Sequence, residues 1–231
     1  RDTDRSRGLG DVYKRQGING AGKSTLYRLQ PELFHSTERI NADEILQKMG
    51  GDWRKEIDNF RAMREEVKQL HDALNNFKSI HVETTLAGSG KAQLNLIDEA
   101  HKNGFEVTLL YVTVNSAEMA INRVQERVKN GGHGIPPETI KKRYSQSYNN
   151  LSAVAFKSDN VFIYDNSKKF INVYTRKHEQ VQINNLKQYP WINQGVTFSK
   201  KVQNQLDKFA ENNPSVTENL NKTIKKDNPK I

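Results

Sequence analysis

The chain contains no cysteine, so disulfides and thiolate metal sites are excluded from its chemistry. That absence is in keeping with a reducing cytoplasm, the expected location. No apolar run approaches the roughly 20 residues that a bilayer-spanning helix needs, and no secretory hydrophobic region is visible, so no membrane partner is expected. Apolar residues make up only 35% of the 231 positions, with a mean hydropathy of −0.84. Part of the chain is therefore expected to be solvated, although enough remains for one α/β domain with a sizeable core. The six histidines lack metal-ligand spacing. One sign of charge is in excess, at a formal net charge of +9. The excess is dispersed rather than clustered with interleaved aromatics, so a solvated basic surface is expected and nucleic acid is not the expected partner.

Against these absences stands one uninterrupted motif. Gly17-Ile18-Asn19-Gly20-Ala21-Gly22-Lys23-Ser24 fits the G-x-x-x-x-G-K-[ST] phosphate-binding loop with no mismatch. Glycines allow successive backbone N–H groups to turn inward toward the α- and β-phosphates. Lys23 supplies a cation for the β- and γ-phosphates, and the Ser24 hydroxyl is the candidate Mg²⁺ ligand. Gly17, Asn19, Gly20, Ala21, Gly22, Lys23, Ser24 and the adjoining Thr25 are the candidate nucleotide-binding residues, and a nucleoside triphosphate is the expected ligand.

The pattern around the loop alternates strands and helices. Helices are predicted over about 24–33, 53–77, 91–103, 116–130 and 137–154, and strands over 39–42, 79–84, 105–114 and 161–165. Residues 168–189 leave room for extra strands at the sheet edge. The apolar positions Ile57, Phe60, Met63, Val67, Leu70 and Leu74 recur at helical spacing and are expected to pack on the sheet. With the phosphate-binding loop at its start, this order predicts a P-loop α/β fold, a three-layer sandwich whose mostly parallel central sheet is covered on both faces. Ligands in such sheets sit beyond the carboxyl ends of the strands.

The N-terminal segment breaks the pattern. A phosphate-binding loop follows a buried parallel strand, which reads as a nearly continuous apolar run, yet residues 11–16 hold two apolar positions out of six. Residues 1–16 resemble translated sequencing-adaptor sequence. They are read as foreign, with the first strand overwritten and its apolar part missing. The expected organisation is thus an abnormal segment at 1–16, a kinase domain at 17–198 and a polar basic tail at 199–231, helical to about Glu211 and disordered beyond.

Phosphoryl transfer needs an oriented hydroxyl, a base, Mg²⁺ and cations around the moving group. Asp43, just past the second strand, is either that base or a helix N-cap, since Asn41-Ala42-Asp43-Glu44 opens a helix. Glu83 and Thr84, at the end of an apolar strand, are candidates to contact the acceptor. Arg123 and Arg127 share a helix face, a glycine-histidine link follows at 131–134, and Arg143 lies on the next helix. Such a pair forms a lid that excludes water during transfer, or it is an ordinary basic amphipathic helix.

Taken in order, residues 17–26, Ile40-Asn41-Ala42-Asp43-Glu44-Ile45, Glu83-Thr84-Thr85-Leu86-Ala87-Gly88, and the lid from Arg123 through Gly131-Gly132-His133 to Arg143-Tyr144 resemble the zeta toxin family. The resemblance covers about 17–166 and implies the kinase-like P-loop NTPase fold, a three-layer sandwich with a mostly parallel central sheet and a helical lid. It implies a kinase that moves the γ-phosphoryl of ATP or GTP to a hydroxyl of a nucleotide sugar, which in characterised members is UDP-N-acetylglucosamine. It also implies an antitoxin protein as a partner. Carried over by motif, Lys23 and Ser24 hold phosphates and Mg²⁺, Asp43 takes the hydroxyl proton, and Glu83 and Thr84 meet the acceptor. Arg123, Arg127 and Arg143 are the cations for the transferring group, without a choice among them. A kinase of another small acceptor, such as a nucleoside, and a nucleic-acid-associated NTPase are the alternatives.

Overall fold

A computed structural model of the chain describes residues 10–34 and 37–197. The expected tail at 199–231, with its helix to Glu211, lies outside the described residues. Seven strands form one sheet in the order β2-β3-β1-β4-β5-β6-β7. These are β1 (Asp11–Gln16), β2 (Glu38–Ile40), β3 (Ile80–Thr84), β4 (Glu106–Thr113), β5 (Asn160–Asp165), β6 (Ile171–Lys177) and β7 (Gln180–Asn184). The first five pair in parallel, and β6 and β7 add an antiparallel edge in the space left at 168–189. Among the described residues six helices accompany them: α1 (Lys23–Leu29), α2 (Ala42–Lys48), α3 (Glu56–Asn75), α4 (Lys91–Lys102), α5 (Ala117–Lys129) and α6 (Pro137–Lys157).

The core has two parts because successive strand residues face opposite ways. In β4, Val107, Leu109 and Tyr111 join Leu74, Ile97, Leu151 and Val154 on one face. Leu110 and Val112 join Ile18, Leu26, Ile121 and Val124 on the other. Ser116 caps α5 by accepting from Met119 N at 3.1 Å, and Pro137 opens α6 in its first turn.

Two expected features differ in the structure. The helix expected over 24–33 ends at Leu29 and is followed by a 3-10 turn, Pro31–Phe34; the residue before a proline is turned away from the helical region. The apolar stripe of α3 does not pack on the sheet along its length. Leu70 and Leu74 are buried, but Ile57, Phe60, Met63 and Val67 are 50–58% exposed. The physical reason is that α3 rests on α2 and on β2, an edge strand of three residues, so its N-terminal half has no sheet to cover.

The first strand is read from the sequence as overwritten and lacking its apolar part. A strand does form at Asp11–Gln16, paired on both sides with β3 and β4. Ladder hydrogen bonds are made by the backbone, so two flanking strands can accept a polar one. What is missing is the apolar side-chain set: Lys14, Arg15 and Gln16 are at most 1% exposed. Arg15 Nε and Nη1 and Gln16 Oε1 find no hydrogen-bond partner among the described residues.

Candidate active site

The loop after β1 turns tightly because its glycines take backbone conformations closed to other residues. Gly20 has φ 82° and Gly22, the residue before α1, has φ 99°. A Cβ on Gly20 would lie 2.4 Å from the Ala120 carbonyl oxygen, so the loop sits directly on the start of α5. Lys23 opens α1 and folds back over the loop, its Nζ donating to the carbonyls of Gly17 at 2.8 Å and Ile18 at 3.3 Å. Burial lowers the Lys23 pKa, with Glu83 opposing the shift and Arg15 adding to it.

Beyond the loop lies a cleft of about 880 Å³ at the carboxyl ends of β1, β2 and β3. Asn19, Gly20, Gly22, Lys23 and Ser24 line one side, and Asp43, Glu83 and Thr84 another. Arg123, Arg127, His133 and Arg143 line the side formed by α5, α6 and their link. Gly17, Ala21 and Thr25 do not line it but build it. Gly17 accepts from Lys23, the Ala21 carbonyl accepts from Asn166 Nδ2 at 2.9 Å, and Thr25 N donates to the Gly22 carbonyl at 2.9 Å.

Asp43 is the second residue of α2, and the cap is its neighbour Asn41. Asn41 Oδ1 accepts from Asp43 N at 2.8 Å and from Glu44 N at 3.4 Å. The Asp43 carboxylate is thus released from capping duty and lies at the helix N-terminus, where the dipole favours negative charge. Its charge is felt by Lys23, His133 and Arg143, which places all four in one electrostatic neighbourhood.

Glu83 is the centre of the charge network. Its Oε2 accepts from Asn41 Nδ2 at 3.0 Å, from Arg39 at 3.4 Å and from Arg15, while its Oε1 stands 4.0 Å from Lys23 Nζ. Burial pushes the Glu83 carboxyl up, but Lys23, Arg15 and Arg39 outweigh it and hold it below the usual carboxylate range. Thr84 Oγ1 accepts from Gln16 Nε2 at 3.1 Å.

The three arginines differ in surroundings. Arg143 Nη1 donates to Asn19 Oδ1 at 2.9 Å, tying α6 to the phosphate loop. Burial lowers its pKa and Asp43 opposes that. Arg127 is exposed on the wall of the cleft. Arg123 is engaged elsewhere, its Nη2 donating to the carbonyls of Asn166 at 2.8 Å and Ser167 at 3.4 Å. The His133 ring stacks on Trp53 with centroids 4.8 Å apart, which joins the α5–α6 link to the loop before α3.

Sequence reasoning missed four contributors. Asn41 had a local signal, since Asn before an acidic first turn is a cap. Asn166, Trp53 and Glu66 had none. Glu66 lies on α3, 24 residues from Ala42, and its Oε1 accepts from Ala42 N at 3.1 Å.

The zeta toxin family profile matches residues 16–179. The chain belongs to the zeta toxin family. A protein of Haemophilus influenzae without an assigned function is 31% identical to it over 128 residues, covering 55% of this chain and 88% of the relative. Among solved structures, the AvrRxo1-ORF1:AvrRxo1-ORF2 complex with sulphate ions is similar at a TM-score of 0.62 and 13% identity, covering 87% of this chain and 73% of that one. The PezAT toxin-antitoxin system of Streptococcus pneumoniae is similar at a TM-score of 0.50 and 17% identity, covering 74% of each chain. At these identities the structures speak for the fold alone, a P-loop α/β sandwich with a mostly parallel central sheet. No helix among the described residues is long and apolar enough to cross a membrane.

Proposed function

We propose that this zeta toxin is a kinase that transfers the γ-phosphoryl of ATP or GTP to a hydroxyl of a nucleotide sugar. UDP-N-acetylglucosamine, the acceptor of characterised family members, is the first candidate. The observation that carries the reading is that Asp43 and the P-loop Lys23 line one cleft, with the lid cations Arg127 and Arg143 lining it as well. In the proposed step the acceptor oxygen forms a bond to the γ-phosphorus while the bond from that phosphorus to the bridging oxygen of the β-phosphate breaks. The hydroxyl proton passes to the Asp43 carboxylate. Lys23 leaves its carbonyl partners for the β- and γ-phosphates. Glu83, facing Lys23, and Thr84 line the wall against which the acceptor lies. Arg127 and Arg143 balance the charge of the transferring group, whereas Arg123 joins α5 to the end of β5.

The residues present fit Mg²⁺ carried in with the triphosphate. Ser24 exposes its hydroxyl in the cleft, and no group of three or more acidic or histidine side chains among the described residues forms a protein-only metal cage. When bound, Mg²⁺ supplies neutralising charge to the β- and γ-phosphates. The relatives solved as AvrRxo1-ORF1:AvrRxo1-ORF2 and as PezAT are paired systems, and AvrRxo1-ORF1:-ORF2 has also been solved with ATP. We extend both properties to this chain: an ATP donor and an antitoxin partner. A cytoplasmic location follows from the same reading.

The test is transfer from γ-labelled ATP with Mg²⁺, offering UDP-N-acetylglucosamine beside a panel of nucleosides. Label is expected on the nucleotide sugar. Asp43→Asn should lower transfer by at least about 100-fold while nucleotide binding persists; full transfer by that variant would remove Asp43 from the role of base. Label on another acceptor alone would replace the substrate, and polynucleotide-stimulated hydrolysis without transfer would replace the reaction.

A further inference from the structure

We propose that Glu66 is a positioning residue, which holds the first turn of α2 and through it the Asp43 carboxylate. The proposal rests on the kinase reading above, with Asp43 as the base. Its starting point is the set of N–H groups that every helix N-terminus leaves without intrahelical acceptors. In α2 the second and third of these, from Asp43 and Glu44, go to the Asn41 cap. The first, from Ala42, goes to Glu66 Oε1 at 3.1 Å. Asp43 therefore follows directly on a residue pinned from another helix.

The need for a second pin comes from the length of α2, which has seven residues. Helices this short gain little from their own hydrogen bonds and take their position from what they touch. Asn41 is itself part of the charge network, donating to Glu83, so its capping geometry moves with β3 and the phosphate loop. Glu66 fixes the turn from the opposite direction, since α3 packs along α2. Transfer tolerates little freedom here: a base displaced by about 1 Å loses on the order of 100-fold in rate.

The choice of an acid is informative. Glu66 lines the cleft and feels the charges of both Asp43 and Glu83. Burial, reinforced by these two like charges and opposed by the Ala42 N–H, raises its pKa to about 7. A carboxyl that is partly protonated at neutral pH keeps an acceptor oxygen on Ala42 while adding less than a full third negative charge beside the base.

The experiment compares Glu66→Gln and Glu66→Ala with the unaltered full chain. Glutamine keeps an acceptor for Ala42; alanine removes it. Amide hydrogen exchange over 42–48, thermal melting, nucleotide binding, and kcat and KM for the acceptor are measured on each. Glu66→Ala is expected to speed exchange in the first turn of α2 and to lower kcat about tenfold, with acceptor KM within about twofold. Glu66→Gln should restore both exchange and kcat. Unchanged exchange in the alanine variant overturns the proposal. So does an acceptor KM that rises equally in both variants, which would make Glu66 a binding residue. If the unaltered chain labels no acceptor, the kinase reading fails by itself, and the exchange comparison still decides whether Glu66 pins α2.

Discussion

At the scale of single residues, the site is a balance of charges whose pH dependence can be derived. Glu66 titrates near 7 in the fold and near its ordinary 4.5 when unfolded. The folded state then binds more protons between these values, so its stability falls as pH rises through that window and levels off above it. Glu66→Gln removes the effect. Chemical denaturation should find the variant close to the original at pH 4.5 and more stable by about 2 kcal/mol at pH 8; a constant gap across pH would show that the carboxyl is not held neutral. Residues at this scale were legible to very different degrees. The phosphate loop is written contiguously, because backbone curvature and phosphate chemistry are both supplied by eight neighbours. Asp43 is open between base and cap in the sequence; in the structure it is Asn41 that accepts both amides. Glu66 could not be read at all, since its partner is 24 residues away and nothing near it spells a helix terminus.

At the scale of elements, β1 carries the largest internal conflict. Its pairing was hidden in sequence because the usual apolar signal is absent, while the strand itself is imposed by the two strands beside it. The same logic explains α3, whose helical period was plain but whose burial depends on how far a short edge strand extends beneath it. A strand held by its backbone and opposed by its side chains should be easy to improve. Lys14 is 1% exposed and donates to the Gln93 carbonyl at 3.0 Å, and burial lowers its pKa to about 7. The unfolded chain binds the proton more tightly than the fold between about 7 and the ordinary 10.5, so native stability rises with pH across that window. Lys14→Met, of similar length and no charge, should be more stable by about 2 kcal/mol at pH 7. The gap should shrink toward pH 10 in denaturant melts. A destabilised methionine variant would mean that the buried amine is well accommodated, and would argue against our proposal that residues 1–16 are foreign to the domain.

At the scale of the whole molecule, donor and acceptor must meet between parts of the chain that are far apart in sequence. The parallel sheet brings the phosphate loop, the start of α2 and the end of β3 to one edge, and the α5–α6 pair closes over them. The strand-helix alternation foretold this convergence, but not the bond that joins its halves. Arg143 Nη1 and Asn19 Oδ1 are 2.9 Å apart and 124 residues apart in the chain, so α6 is tied directly to the phosphate loop. On this reading the guanidinium exchanges Asn19 for phosphate oxygens when the triphosphate enters, a stronger charge-assisted partner. Arg143→Ala should therefore raise the nucleotide Kd about tenfold by calorimetry, equivalent to about 1.4 kcal/mol. It should also speed hydrogen exchange over 131–134 in the free protein. Asn19→Ala separates the two effects: it should loosen the same segment yet raise Kd by clearly less than Arg143→Ala does, because the arginine remains to meet the phosphates. If both variants weaken binding equally, Arg143 acts only by shaping the loop, and the cation for the transferring group must be Arg127.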